Sequence, residues 1–192
     1  MFKFQRTYIG DTFISETNSH IKECKLLHVS DANGRVGKFY SGANFSFIEF
    51  EKDKYRIDYI PKLLRMPTYR LVHAHTDEEI GHYEIPNVVW LYLEDSFLYL
   101  KSYTPLKMAQ NTSHRKLFKS QTRKQYTFEL TSQELQIVYK GEVSPAMWPG
   151  SILEDQVFEG TIHSSSPDAL LPLFAGLHII EENFRRIENT TS

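Results

Sequence analysis

The sequence has few of the residues and motifs from which most catalytic and cofactor sites are built. Among its 192 residues there is one cysteine, Cys24, which can form no internal disulfide and is too few for a cysteine-based zinc site. There is also no Gly-x-Ser-x-Gly, no glycine-rich phosphate loop and no His-Glu-x-x-His. His178, inside an apolar segment, is predicted to be a satisfied core or rim histidine and not a catalytic base. We therefore expect a protein that is not an enzyme and needs no cofactor.

Long apolar segments are missing as well. The most apolar stretch, residues 169–180, contains Pro172 and His178 and is shorter than the roughly 20 residues that cross a bilayer. The N-terminal residues lack the apolar core of a signal peptide. These absences predict a cytoplasmic protein with no transmembrane segment.

The composition is typical of one folded domain that is rich in strands. A chain of 192 residues can bury one sizeable core, and 41% hydrophobic with 24% charged residues is ordinary for a globular protein. Phe and Tyr supply 13 and 11 residues, against two Trp, and such aromatic residues favour strands. We predict a single domain over residues 1–192.

Most of the chain has the pattern of short strands separated by turns. Apolar and polar residues alternate in many of these runs, and Asn33-Gly34 is a strong hairpin signal. The predicted strands cover residues 2–9, 21–29, 36–40, 45–50, 55–60, 69–75, 79–85, 88–94, 97–103, 125–130, 134–140 and 156–163. Runs that recur every 8–12 residues or so indicate a sandwich or a barrel.

The last segment predicts a helix over residues 167–187. Ser166 is a good N-cap and Pro167 suits the first helical position, while Pro172 either kinks the helix or marks its start. Apolar residues cover every side of this helix, so protein or lipid must surround it. Its length, about 31 Å, matches the height of a barrel, and a closed barrel has a lumen that a helix can fill. We predict a mainly β fold, a closed antiparallel barrel of about twelve strands with the hydrophobic C-terminal helix through its centre. A membrane-surface anchor is the alternative.

Two stretches resemble the tubby C-terminal-like superfamily, which includes the LURP-one-related proteins and the phospholipid scramblases. One comprises residues 154–162, the following Asp168-Ala169-Leu170-Leu171 and the apolar run, and is similar to the last strand and core helix of that family. The other, residues 78–85, is similar to the polar turn, Ile-Gly and alternating strand of LURP-one-like proteins. The resemblance implies a twelve-stranded antiparallel barrel threaded by a hydrophobic helix. The phosphoinositide-binding Lys/Arg pair of the family, and the calcium segment and palmitoylated cysteines of scramblases, have no counterpart here.

Charge is distributed unevenly along the chain. Residues 96–128 contain no acidic residue, whereas the net charge of the whole chain is −2. The residues predicted to make contacts in this stretch, which we expect to be a loop, are Lys107, Arg115, Lys116, Lys119, Arg123 and Lys124. Such a loop suits an anionic phospholipid membrane or an acidic protein surface, and a solvated loop without a partner is the alternative. The overall charge argues against a specific nucleic-acid partner.

Three histidines suggest an alternative function, a barrel that binds a metal or a small ligand. His73 and His75 are two residues apart and so share one face of a strand. If the turn centres on Asp77-Glu78, His82 lies opposite His73, and Glu84 is a fourth candidate ligand for zinc or copper. The other interpretation of these residues is an exposed barrel face.

Overall fold

The structure is a computed structural model that describes residues 1–9, 12–14, 19–21, 24–42, 46–61, 68–85, 96–117, 121–143, 157–164 and 169–191. The strands within these ranges are β1 Phe2–Ile9, β2 Thr12–Ile14, β3 Ser19–Ile21, β4 Cys24–Asp31, β5 Gly34–Ser41, β6 Ser46–Phe50, β7 Asp53–Ile60, β8 Thr68–His73, β9 Glu79–Glu84, β10 Ser96–Leu100, β11 Leu106–Leu117, β12 Gln121–Thr131, β13 Leu135–Val143 and β14 Val157–Ser164. The helix, α1, is Leu170–Thr191.

Twelve of these strands close into one antiparallel barrel, which confirms the predicted fold class. Strands β4 to β14 pair in chain order, and β1 completes the ring between β14 and β4. The two remaining described strands, β2 and β3, pair with each other. Because almost every neighbour in the barrel is also a neighbour in the chain, the alternating runs and turns of the sequence largely specify the pairing.

The inner face of the barrel is apolar and encloses α1. In β10, for example, Ser96, Leu98 and Leu100 are buried while Phe97 and Tyr99 are exposed, the alternation expected for a sheet with one wet face. All nine helix residues from 172 to 180 are buried, so the wall covers every side of this part of α1. The membrane-surface anchor is therefore wrong, and the predicted central helix is confirmed.

No helix among the described residues is long and apolar enough to cross a membrane.

The helix begins at Leu170, three residues later than predicted. The N–H of Leu173 donates to the carbonyl oxygen of Ala169 at 3.2 Å, in the first turn of α1. Pro172 precedes that donor, so its missing N–H breaks no helical bond. Pro172 therefore belongs to the start of the helix and does not interrupt it, while Ser166 and Pro167 lie outside the described residues.

The stretch predicted as a basic loop is instead a long hairpin formed by β11 and β12. The loop prediction was wrong because residues 109–116 lack the alternation of apolar and polar residues that marks a half-buried strand. The backbone hydrogen bonds to β12 hold these residues in a strand, although their side chains show no alternation. The neighbours of β10 are β9 and β11, whereas its predicted partner, residues 88–94, lies outside the described residues.

Candidate functional site

Basic residues predicted to make contacts lie on the β11–β12 hairpin. The register sets Arg115 directly opposite Arg123 and His114 directly opposite Lys124. Two arginines are therefore directly opposite each other in the ladder of this hairpin. Lys116 is the next position on β11, and Lys119 lies outside the described residues.

The hairpin continues beyond the part of its strands that the barrel wall pairs. On one side β10 pairs with β11 only at residues 106–108, and on the other β13 pairs with β12 from Lys124 onward. Within the described residues, positions 115–117 and 121–123 therefore have only each other as strand partners. Lys107 is exposed at the base, whereas Arg115 and Arg123 belong to the extension.

An exposed row of aromatic rings borders the base of the hairpin. Phe97 lies opposite Lys107 and is 38% exposed, and Tyr99 is 41% exposed. The ring of Tyr99 stacks on His82 at a centroid distance of 5.1 Å. Sequence reasoning did not identify this row, although its signal was present: the apolar residues Leu98 and Leu100 define the inner face of β10, so Phe97 and Tyr99 must face outward.

The structure does not bring His73, His75 and His82 together. His82 lies opposite Arg70 and not opposite His73, so the predicted pairing is wrong. The observed register differs from the predicted one by three residues, and an odd offset reverses the face of the sheet. A bulge in the β8–β9 ladder shifts the register further, and the turn between the strands is longer than predicted.

Each of these histidines has its own surroundings. The His73 ring packs edge-on against the core residue Tyr55, and its Nε2 lies 3.6 Å from Oδ1 of Asp53. His82 is on the outer face, where its ring stacks on Tyr99. His75 is exposed in the turn, its ring 5.8 Å from that of His73. No group of three metal-binding side chains occurs among the described residues.

The most unusual side chains of the interior form a polar cluster between α1 and the wall. His178 and Glu182 are one helical turn apart and only 2% and 4% exposed. The Tyr83 hydroxyl hydrogen-bonds Nδ1 of His178, and the Tyr69 hydroxyl donates to Oε2 of Glu182 at 2.7 Å. Tyr69 and Tyr83 are opposite each other on β8 and β9, and their rings stack at 5.2 Å. The prediction that His178 is a satisfied core histidine is confirmed.

The Tyr83 hydroxyl of this cluster stays protonated. Burial, followed by the proximity of Tyr69 and Glu182, raises the pKa of Tyr83 well above its ordinary value. Nε2 of His178 lies 4.0 Å from Oε1 of Glu182. The other oxygen of Glu182, Oε2, accepts from Tyr69, so this buried side chain has a hydrogen-bond donor.

An open depression of about 510 Å³ lies beside the turns β4–β5 and β6–β7. Acidic and basic groups both line it, among them Asp31, Lys38 and Glu49, so it favours neither sign of charge. The Asp31 side chain already has partners in its own turn, because its Oδ1 accepts hydrogen bonds from the N–H groups of Asn33 and Gly34 at 2.7 and 3.1 Å. Asp31, Asn33 and Gly34 are thus turn-forming residues.

No family model, curated protein or solved structure matches this chain. Membership of the tubby C-terminal-like superfamily therefore stays a prediction, although the architecture implied by the resemblance is the one that the barrel and α1 have. The function has to be argued from the geometry and charge of the chain itself.

Proposed function

We propose that the protein is a non-enzymatic binding module with a tubby-like barrel, and that its β11–β12 hairpin contacts an anionic phospholipid membrane. The observation that carries this proposal is the register that sets Arg115 directly opposite Arg123. Like charges directly opposite each other destabilise a strand pair, where favourable pairs contribute roughly 0.2–1 kcal/mol. Because an anionic surface would offset this repulsion, the hairpin is better suited to such a surface than to water.

The end of the hairpin favours a membrane over an acidic protein. Leu117 ends β11 and Phe118 follows it, so two apolar residues directly follow Arg115 and Lys116 in the sequence. Basic groups contribute about 1 kcal/mol each at an anionic cytoplasmic leaflet, and adjoining apolar residues add burial at the lipid interface. An acidic protein surface would use the basic groups but would gain less from the apolar ones.

The interior of the barrel supports a function at the surface. Leu173, Phe174 and Ala175 are completely buried, and Leu177, Ile179 and Ile180 are at most 2% exposed, so the helix occupies the space that a ligand inside a barrel would need. Contacts with a partner therefore fall to the outer face and to the hairpin. For a cytoplasmic protein, the inner leaflet of the membrane is an extended anionic surface.

Co-sedimentation with vesicles tests the proposal. We expect vesicles of phosphatidylcholine and phosphatidylserine to retain the protein at low ionic strength, with retention falling as salt is added, while pure phosphatidylcholine does not retain it. The double variant Arg115→Glu with Lys116→Glu should lose most of the retention. Its control, Lys52→Glu with Lys140→Glu, changes the net charge equally at exposed positions outside the hairpin and should bind like the wild type.

Equal retention of both double variants would refute the hairpin as the contact surface. If no anionic vesicle retains the wild type at low ionic strength, the membrane is not the partner. Capture of an acidic protein that depends on Arg115 would then identify the alternative partner.

A further inference from the structure

Burial of apolar area alone does not define where α1 sits in the barrel. The hydrophobic effect is non-directional and depends on the area removed from water. Residues 172–180 are buried on all sides against an apolar wall. A helix displaced by one turn, or rotated by one residue, would still present apolar groups to that wall. Close packing, such as that of Gly176 against the Tyr139 ring, opposes some of these displacements, and buried polar groups add a directional constraint.

We propose that Tyr69, Tyr83, His178 and Glu182 form a polar lock that selects one depth and one rotation of α1. The lock consists of two matched pairs, Tyr83 with His178 and Tyr69 with Glu182. The tyrosines are opposite each other on adjacent strands, and their partners are one turn apart on the helix, so both bonds form together in a single placement.

Displacement of the helix breaks both pairs at once. A shift by one turn toward its start would bring Glu182 to Tyr83 and leave Tyr69 and His178 without these partners. A rotation by one residue would turn both helix residues away from both tyrosines, since each residue advances by about 100°. Either change separates buried polar groups from the partners that they have in the observed position, which is costly.

The lock is a device for selecting a position, and stability alone does not explain it. Replacing a buried polar or ionic set with apolar residues of similar volume is often neutral or stabilising. A single buried polar residue in a coiled coil, by comparison, specifies register while lowering stability. His178 and Glu182 are the only buried polar or charged residues among the described side chains of α1, and both belong to the lock.

Tyr139 offers a matched control, because it also contacts α1 through its hydroxyl. It donates to the carbonyl oxygen of Leu173 at 2.9 Å. That acceptor is a backbone group, and every turn of a helix presents one, so the bond discriminates less between helix positions. Tyr139→Phe removes a buried hydroxyl from the helix contact without touching the lock.

Amide exchange and NMR spectroscopy test the proposal in two variants. In Tyr69→Phe with Tyr83→Phe, which removes only the two hydroxyls, exchange of the amides at residues 173–182 should accelerate by roughly 5- to 100-fold relative to the barrel strands, the equivalent of unsatisfied buried groups. Tyr139→Phe should not change this ratio. The apolar variant Tyr69→Phe, Tyr83→Phe, His178→Leu, Glu182→Leu should fold but show several resonances for each helix amide.

Two results would overturn the lock. One is an apolar variant with a single sharp set of helix resonances and wild-type helix exchange, because the helix would then be positioned without the polar groups. The other is equal acceleration of helix and strand amides in the double variant, since the four residues would then serve only global stability. The second result decides the question even if the apolar variant fails to fold.

Discussion

The barrel interior and the β11–β12 hairpin are built on opposite principles. Inside, side chains specify the structure: the ring of Phe50 stacks parallel to that of Phe174 at 5.4 Å, and residues 172–180 of α1 are all buried. In the hairpin, the backbone ladder holds the strands together although two arginines, Arg115 and Arg123, are directly opposite each other. The interior has little freedom to change its residues, whereas the hairpin can vary its charge and keep its shape. This difference separates the part that maintains the fold from the part free to serve a partner.

The largest expected effect comes from placing a charge in the interior. Leu173→Asp and Leu177→Asp should each abolish folding, because these positions are 0% and 2% exposed and a buried unpaired charge costs several kcal/mol out of a total stability of about 5–15 kcal/mol. Circular dichroism on heating should show no cooperative transition. Leu173→Met, which keeps the volume, should melt cooperatively and lose less than about 1.5 kcal/mol. Normal melting of either Asp variant would show that α1 is not the core.

A smaller loss should follow from adding one methyl group to the helix. In a helix, alanine is favoured over glycine by about 1 kcal/mol, yet a Cβ at Gly176 would overlap the Tyr139 hydroxyl and lie 2.8 Å from its Cζ. We therefore expect Gly176→Ala to destabilise the protein by about 1–3 kcal/mol in urea unfolding. The loss should be smaller in a Tyr139→Phe background, since the nearest atom is then gone. A gain in stability would mean that the ring moves aside freely.

Asp58 is intermediate between the interior and the hairpin, because it lies on the outer face but is partly buried. Its carboxylate accepts bonds from Arg56 at 2.6 Å and Arg70 at 3.2 Å. Burial alone would raise the pKa of Asp58, but these bonds outweigh it and hold the pKa below its ordinary value. Asp58→Asn should therefore cost about 1 kcal/mol at neutral pH, a figure discounted for partial exposure.

The pH dependence of this cost has a definite sign. A depressed pKa contributes stability that is complete above the unfolded value, about 3.9, and is lost as the pH falls through the folded pKa. The difference between the wild type and Asp58→Asn in urea should accordingly shrink in acid. Asp77→Asn is the control, since Asp77 also bonds Arg56 but is 77% exposed and should matter less. A difference independent of pH would rule out the ionised pair as its cause.

The smallest expected effect is a gain in the hairpin. Arg115→Glu replaces a like-charged pair with an opposite one across from Arg123, so thermal melting should show a stabilisation of roughly 0.2–1 kcal/mol at low salt. The gain should diminish at high salt if the two charges interact through solvent, because salt screens such interactions. Lys52→Glu, in the exposed β6–β7 turn, should not reproduce it. A loss of stability would show that Arg115 has a structural partner.

Strands with an alternating pattern were predictable, and a strand without one was not. The inward Leu98 and Leu100 marked β10, and Asn33-Gly34 marked the β4–β5 turn. Residues 109–116 carry no such pattern, so β11 was missed and its basic residues were assigned to a loop. The basic charge of the hairpin could be predicted from the sequence, but the geometry of the hairpin depended on the pairing of β11 with β12.

Register explains why the histidine prediction failed. Face and partner follow from counting residues outward from a turn, and an error of three residues places His82 opposite Arg70 on the outer face. The polar lock was also beyond sequence reasoning, since Tyr69 and Glu182 are 113 residues apart. Of the four residues, only His178 is recognisable in the sequence, as a polar residue in an apolar helix.

The sequence by itself determined that this chain is a barrel with a covered helix. Alternating runs require a sheet with one apolar face, and a helix that is apolar all round requires a wall, so burial of apolar area leaves few other arrangements. The tertiary structure alone decided which residues meet across that interior and along the hairpin. Hydrogen bonds and opposed charges depend on register and on distances of a few ångströms, and these are set only when the barrel closes around α1.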